Sequence, residues 1–342
     1  MAEVALPSRS EAPAQLALED TFEVLERQRR AAIVSQLRAL VVTAAVLSLA
    51  AAPFVLLAWA LAEGSSAAPS ARTTVAAWLE SRFPPLFLGA LVWSTAWLYV
   101  VLRAWQRAAR ARAAYRADYK TLVFGAVCGV HFPGVRYDPE GGMPWRLLDD
   151  SGLFPFVSDS YRSEDRFEGR WGATAVAFSE AVAQRTVTRG FGKNRRTENE
   201  TYFRGLVFHA DFNKHFASRT RLVPRGEDFT RVRDEQPTVL EDPSFASAFE
   251  TWTTDQVEAR YVLSPSLMER LTALERRFPR LRALFADGEL LLLLPSGYDR
   301  FETSLLVGAR SRAQIESFVK NVRACLDVVD ALALNTRIWS KE

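Results

Sequence analysis

Residues 39–62 read ALVVTAAVLSLAAAPFVLLAWALA, an unbroken stretch without a charged side chain. A hydrocarbon core of about 30 Å takes roughly 20 apolar residues of helix, so this run is long enough to cross a bilayer with some tilt. Pro53 lies inside it, and membrane helices tolerate a proline with a kink. The run begins near residue 39, behind an acidic N-terminus, and is too long for the apolar part of a signal peptide. A helix of a soluble protein is seldom apolar all round for this distance. The reading is a transmembrane span.

Working outward, residues 83–102, FPPLFLGALVWSTAWLYVVL, form a second uncharged run. Pro84 and Pro85 suit a first helical turn, where missing N–H groups cost nothing. Trp97 and Tyr99 lie toward its far end, at the depth such rings prefer. Arg27, Arg29, Arg30 and Arg38 precede the first run. Arg103, Arg107, Arg110, Arg112, Arg116 and Lys120 follow the second. The connecting residues 63–82 carry only Arg72 and Arg82 against Glu63 and Glu80. The positive-inside rule places both ends of the chain in the cytoplasm and the 63–82 loop outside.

The expected organisation is an N-terminal cytoplasmic helix (1–38), span one (39–62), an external loop (63–82), span two (83–102), a basic membrane-proximal helix (103–132) and a cytoplasmic domain (133–342). Leu16, Phe22, Leu25 and Ile33 fall near helical spacing before span one. The alanine- and arginine-rich stretch after span two favours helix as well. Emerging on one side, the two helices are expected to pack together as a stalk.

From residue 133 the pattern turns to strands. Thr174, Val176 and Phe178 alternate with Ala173, Ala175 and Ala177, and TYFRGLVFHADF (201–212) and RTRLVPR (219–225) follow, giving a β-meander of three or more strands with a loop at GFGKNRRTENE (190–200). LEDPSFASAFETWTTDQVEARYVL (240–263) reads as short strand and turn. SPSLMERLTALERRF (264–278) is a helix, with Ser264 at the N-cap, Pro265 at the first helical position and Ser266 with Glu269 as a second capping box. Residues 288–308 read as a hairpin around PSGYD. The last helix puts Ile315, Phe318, Val322, Cys325, Leu326 and Val329 on one face. The fold class is α+β: a two-helix transmembrane hairpin, then a cytoplasmic domain with a mostly antiparallel meander and packed helices.

The segments SGLF (151–154), YRSEDRFEG (161–169), VAFSEA (176–181), FRGLVFHADFNKHF (203–216), DPSFASAFETWTTDQVEARYVLSPSLMERL (242–271) and DGELLLLLP (287–295), placed after two spans, resemble a bacterial membrane family, domain-of-unknown-function family 3137. The resemblance covers about Tyr115 to Leu332. Its most distinctive parts are Glu164-Asp165…Gly169, Phe203-Arg204-Gly205 and Asp255 to Leu271. It implies a bacterial inner-membrane protein with a cytoplasmic domain. It implies no activity and supplies no functional residues.

The chemistry on offer is sparse. The chain has 342 residues, 49% hydrophobic, with a net charge of +3, so bulk charge points to no nucleic acid, and the basic stretches lack the interleaved aromatics of nucleic-acid binders. Cys128 and Cys325 are far apart and outside any motif, which suits two free thiols in a reducing compartment. His209 and Asp211 fall on one face of a strand, Phe208, Ala210 and Phe212 on the other. With His215 folded back by the NKH turn they would make a metal site. A strand end exposed to water is the simpler reading. Glu164, Asp165 and Glu168 could hold a hard cation or do acid–base work, against pairing with Arg162, Arg166 and Arg170. Gly190, Gly192 and Lys193 do not fit a phosphate loop, since Asn194 follows the lysine. Ser179 lacks the nucleophile elbow. Arg103, Arg107, Arg110 and Arg112 on the membrane-proximal helix, and Arg195 and Arg196 on the loop, face lipid or a partner. No cofactor is expected.

The reading favoured is a non-enzymatic membrane-anchored domain that binds anionic headgroups, a membrane protein partner or a second copy of itself. The alternative is a membrane-tethered metal-assisted hydrolase on Glu164/Asp165 or His209/Asp211. A transporter role is disfavoured, because neither span carries an intramembrane charge.

Overall fold

The computed structural model describes residues 12–64, 69–155, 158–190, 195–212, 214–229 and 232–336, with side chains described for 20–49 and from 92 onward within these ranges. The chain divides into two units, Met1–Tyr119 with Ser304–Ser311, and Lys120–Thr303 with Arg312–Glu342.

The first unit is built on two long helices, α1 (Ala12–Gly64) and α2 (Pro69–Tyr119). Each exceeds 70 Å at about 1.5 Å per residue. Residues 69–82, expected to be loop, are helical. Pro69 is pre-set for a helix start, and the alanine-, leucine- and glutamate-containing stretch behind it keeps the helix going. Leu25, Ala32 and Ala39 of α1 are fully buried, as are Ala108 and Tyr115 of α2. Both sets repeat every seven residues, the spacing that keeps a seam facing its partner. The alanines let the two backbones come close. Gln28 donates to Asp118 at 2.8 Å and the Trp105 indole N–H to Thr43 at 3.0 Å, so the helices run antiparallel. The expected pairing of the helix before residue 39 with the helix after residue 102 is present.

Segment Ser304–Ser311 lies on this pair. Arg29 donates to the Leu305 carbonyl at 2.8 Å, the Ala309 N–H to Glu26 at 3.2 Å and the Tyr119 hydroxyl to the Ala309 carbonyl at 3.2 Å. The Arg29 guanidinium beside Glu26 holds that carboxyl down at about 2.

Within α1, the stretch Asp20–Leu49 contains an 18-residue window with a mean hydropathy of 1.9, and the helix is long and apolar enough to cross a membrane. The side chains of 50–91, which carry the rest of the first apolar run and much of the second, lie outside the described residues.

The second unit is α+β. A π-helical turn (Lys120–Phe124) and α3 (Gly125–His131) lead into β1 (Val135–Asp138) and α4 (Trp145–Asp149). The meander follows as β2 (Ser160–Trp171), β3 (Thr174–Arg189) and β4 (Arg196–Asp211). Then come β5 (Thr220–Pro224), β6 (Gln236–Thr238), α5 (Pro243–Ala248), β7 (Phe249–Thr253), α6 (Gln256–Val262), α7 (Pro265–Arg277), β8 (Arg282–Ala286), β9 (Glu289–Pro295) and α8 (Arg312–Ala331). Among the described residues the strands form one sheet in the order β1-β2-β3-β4-β9-β8-β5-β7-β6, with antiparallel neighbours throughout.

Four elements differ from the sequence reading. The loop expected at 190–200 is shorter, because β4 already starts at Arg196 and pairs with β3 from there. The hairpin of residues 288–308 is absent: β9 turns back at its other end, onto β8, through Asp287 (φ 51°) and Gly288 (φ 74°). Two successive positive φ angles suit the tight turn that matches strand twist, and Asp-Gly accepts it readily. β5, expected beside β4, pairs instead with β7 and β8, because β8 and β9 insert between. In 240–263, two short helices flank β7. Asp242 accepts from the Ser244 and Phe245 N–H groups and Asp255 from Val257 and Glu258, each an N-cap. α7 starts at Pro265 behind Ser264 as read, although the Ser264 side chain makes no capping bond.

The sheet is covered on both faces. On one, the rings of Phe167, Phe178 and Phe208 stack in a row at 4.7 and 6.1 Å, and Phe318 of α8 stacks on Phe124 at 4.0 Å. On the other, Ala181, Phe203, Val207, Leu291 and Leu293 meet Met143, Leu148, Leu153 and Phe154 from the α4 region. Double burial explains the run Leu290–Leu294, which would make no sense in a strand with a wet face. It also corrects the expectation for β4, whose His209 face is buried at Val207 and open only toward the strand end. The side chains of Arg221 and Glu235, both fully buried, pair side by side, and Arg221 also donates to the Gly152 carbonyl. This ties β5 to the exit of α4.

Candidate functional site

The acidic cluster of β2 resolves into three different environments. The pairing of β2 with β3 slips between Glu164 and Phe167, and Asp165 takes a left-handed backbone, φ 58°. Such a bulge re-aims one side chain. Asp165 turns inward, 1% exposed. Lys120, from the π-helical turn, sits 2.6 Å from Oδ2, and the Tyr137 hydroxyl donates to Oδ1 at 2.5 Å. Burial pushes the Asp165 carboxyl up, against the pull of Lys120 and then of Tyr137. Tyr137 is itself raised by burial and by the carboxylate beside it. Glu168 instead lies at the surface, 2.8 Å from Arg166. Glu164 lies directly across from Glu180 of β3.

Glu180 is the residue that the sequence reading missed. Burial pushes its carboxyl up to about 7, helped by Asp165 and Asp299, although the Arg300 backbone N–H donates to Oε1 at 2.6 Å and pulls the other way. It lines a cleft of about 20 Å³ with Glu164, Arg162, Arg204, Tyr298 and Asp299. That is room for about one water. The signal was available: Glu180 is the lone carboxylate in the apolar stretch VAFSEAVA. Because the folded state holds this proton more tightly than the unfolded chain does, stability contributed at low pH is lost as the pH rises from about 4.5 through 7. Glu180→Gln keeps the acceptor for Arg300 and removes the charge. The variant is expected to match the parent at pH 4 and to exceed it by roughly 2 kcal/mol at pH 8. Thermal unfolding across that range checks this, and parallel curves for the two proteins would refute it.

The histidine pattern does not converge. His209 Nε2 lies 3.0 Å from Glu289 Oε2, diagonally across the β4–β9 pair, and Asp211 stands opposite Glu289. His215 is exposed beyond the strand. The intervening turn is fastened elsewhere: Lys214 donates to the Tyr261 carbonyl at 2.5 Å, at the C-terminal end of α6, where a cation is favoured. Phe208, Ala210 and Phe212 are buried as read. Among the described residues no three His, Cys, Asp or Glu side chains gather as a metal-ligand set. Ser179 is buried, paired with Ser163 at 2.7 Å, and accepts the Met143 N–H at 3.1 Å. Cys128 and Cys325 are free and buried, which pushes their thiols up to about 11 and about 12.

The basic residues lie at the surface. Arg103 packs over Tyr99, donating to its hydroxyl at 2.8 Å. Arg107, Arg110 and Arg112 are exposed and have no acidic partner among the described residues. Arg103, Arg107 and Arg110 follow helical spacing on the side of α2 away from Ala108 and Tyr115. Arg195 and Arg196 are exposed at the start of β4, with Arg196 opposite Arg189. Lys193 and the rest of 191–194 lie outside the described residues.

A family model described as "Protein of unknown function (DUF3137)" matches residues 201–334. The chain resembles this family. The match begins later than the resemblance read from the sequence. It takes in the chain from within β4 to α8, including Phe203-Arg204-Gly205 and Asp255 to Leu271, and leaves out the Glu164-Asp165 bulge. No curated protein matches. A crystal structure of the mycobacterial trehalose monomycolate transport factor A, TtfA, is 14% identical over 60% of this chain and 92% of that one, with a TM-score of 0.29. A likeness that distant carries no functional argument.

Proposed function

We propose that the chain is a non-enzymatic membrane-anchored module. A two-span hairpin, residues 39–62 and 83–102, leaves both ends of the chain in the cytoplasm of a bacterial cell and holds the α+β domain at the inner membrane. Anionic headgroups are its first ligand, and a membrane protein or a second copy of the chain is the partner its domain serves. The observation that carries this reading is the row Arg103, Arg107 and Arg110, exposed on α2 directly after the second apolar run. Each such cation contributes about 1 kcal/mol beside an anionic leaflet. The hydrolase alternative is weaker, because Asp165 is neutralised by Lys120 and His209 is engaged with Glu289.

The test uses the full chain in nanodiscs of phosphatidylcholine, with and without phosphatidylglycerol. Hydrogen exchange across 103–116 is expected to slow in the anionic discs, and the triple variant R103Q/R107Q/R110Q to lose the difference. Exchange indifferent to lipid charge removes the headgroup reading and leaves a protein partner, sought by affinity capture from native membranes.

A further inference from the structure

The first unit carries an apolar knob beside an apolar groove. Segment Ser304–Ser311 is fastened down: Leu305 and Ala309 are buried, and the bonds it makes with Arg29, Glu26 and Tyr119 hold its backbone. Leu306 points the other way. It is 91% exposed, more than any other large apolar side chain among the described residues, and its own N–H is tied to Ser304 Oγ at 3.2 Å. The groove runs between this segment and α1. It encloses about 630 Å³, with Phe22, Val307 and Gly308 in its walls, and takes in the charged Glu23 and Arg27.

A leucine held out in water forgoes the stabilisation that burial brings. A free loop tip can turn such a side chain inward, but here the residues on either side are bound to the helices. Leu306 adjoins Val307, itself exposed, so knob and groove form one apolar patch rather than a scattered single residue.

The occupant follows from shape and charge. Knob and groove lie side by side on one surface. Two copies related by a twofold axis therefore fit twice over, each leucine entering the other's groove. In such an interface residue i meets j and j meets i. The charges obey the same symmetry. Glu23 and Arg27 stand one turn apart on α1, both exposed, and neither has an oppositely charged partner among the described residues. Arg27 donates to the Glu23 backbone carbonyl at 3.4 Å, which leaves both charges facing out. Glu26, by contrast, is engaged by Arg29 and Arg30. Across the axis Glu23 of each copy meets Arg27 of the other, giving two pairs of opposite sign. Chains anchored in one bilayer with the same topology are related by an axis along its normal, and this brings the same flank of each helix face to face.

We propose that the face made by α1 and Ser304–Ser311 is where two copies of the chain meet. The inference rests on the proposed function in one respect: it takes the second copy named there as a partner and gives it a surface.

The experiment measures the mass of the full chain in detergent by light scattering, over a range of protein concentrations. A dimer is expected. Leu306→Asp should raise its dissociation constant by at least about a hundredfold, since two leucines leave the interface at once. The side chain is almost free of contacts within one chain, so the variant's circular dichroism should match the parent's. Glu23→Arg should also weaken the dimer, and Glu23→Arg/Arg27→Glu should restore it, because the swap exchanges the signs and keeps the pairing. General stickiness would give no such recovery. In isolated membranes under an oxidant, a Leu306→Cys copy and a differently tagged Glu23→Cys copy should crosslink to each other. The natural thiols, Cys128 and Cys325, are buried. A monomeric parent, or a dimer that Leu306→Asp leaves intact, overturns the inference. So does a Leu306→Cys chain that crosslinks to another protein in place of its own copy. The headgroup test is read on residues 103–116 and does not depend on the mass. If the chain stays in solution without detergent, the same masses are measured in plain buffer, so the two proposals fail separately.

Discussion

Lys120→Met is expected to destabilise the α+β unit by about 3–5 kcal/mol, the range found when one partner of a buried ion pair is removed. The lysine and Asp165 are 8% and 1% exposed at the side chain, 2.6 Å apart. Their attraction only offsets the cost of taking both from water, so losing the cation leaves a carboxylate with Tyr137 and nothing else to compensate it. That carboxyl, already raised by burial in the parent, will hold its proton more tightly still once the lysine is gone. The deficit therefore grows as the pH rises and shrinks in acid. The double variant Lys120→Met/Asp165→Asn should recover most of the loss, because an asparagine oxygen still accepts from Tyr137 and no charge is buried. Urea denaturation of the full chain in detergent, followed by tryptophan fluorescence, reads all three proteins. A loss under 1 kcal/mol in the single variant, or no recovery in the double, would sink this account of the pair.

Gly205→Ala should cost about 3 kcal/mol by forcing atoms into occupied space. A Cβ at this position would lie 2.1 Å from the Leu294 carbonyl oxygen and 2.9 Å from Pro295 Cα, both backbone atoms of β9. Neither can rotate aside, so β4 and β9 must separate at the centre of the sheet. Gly129→Ala is the control: nothing stands within 4 Å, and its place in α3 predicts a gain of up to about 1 kcal/mol. Equal melting temperatures for the two variants would refute the account of the close approach at Gly205.

Local chemistry was legible in the sequence where it is local in space. The cap at Ser264-Pro265 and the apolar face from Phe318 to Val329 announce α7 and α8 without help from the rest of the chain. The alternation of Val176 and Phe178 announces β3. Sheet order is a different kind of information. Nothing in Leu206 names Leu294 as its neighbour, and the entry of β8 and β9 between β4 and β5 depends on pairings across some eighty residues. The Asp287–Gly288 turn was readable from its dipeptide and was passed over for PSGYD, a richer cluster of turn formers. The site followed the same rule. Glu164 and Asp165 stood out as acids, but their neighbouring arginines were the wrong partners, because the bulge and the π-helical turn bring Lys120 in from 45 positions away. Glu180 was hidden by its surroundings, since a single acid in an apolar strand reads as an interruption until its burial in the folded sheet is known.

The two outer strands have a consequence for how copies of the domain meet. Open sheets invite growth, because the last strand offers unpaired N–H and C=O groups to any chain that drifts by. Here one border, β1, is four residues long, and the other, β6, is three with Pro237 at its centre. Proline has no N–H to offer, and so short a strand gives little purchase. The long, apolar strands that would template aggregation, β9 and the inner half of β4, are kept in the middle. The sheet is finished at both ends, and copies of this domain can stand side by side without their strands joining.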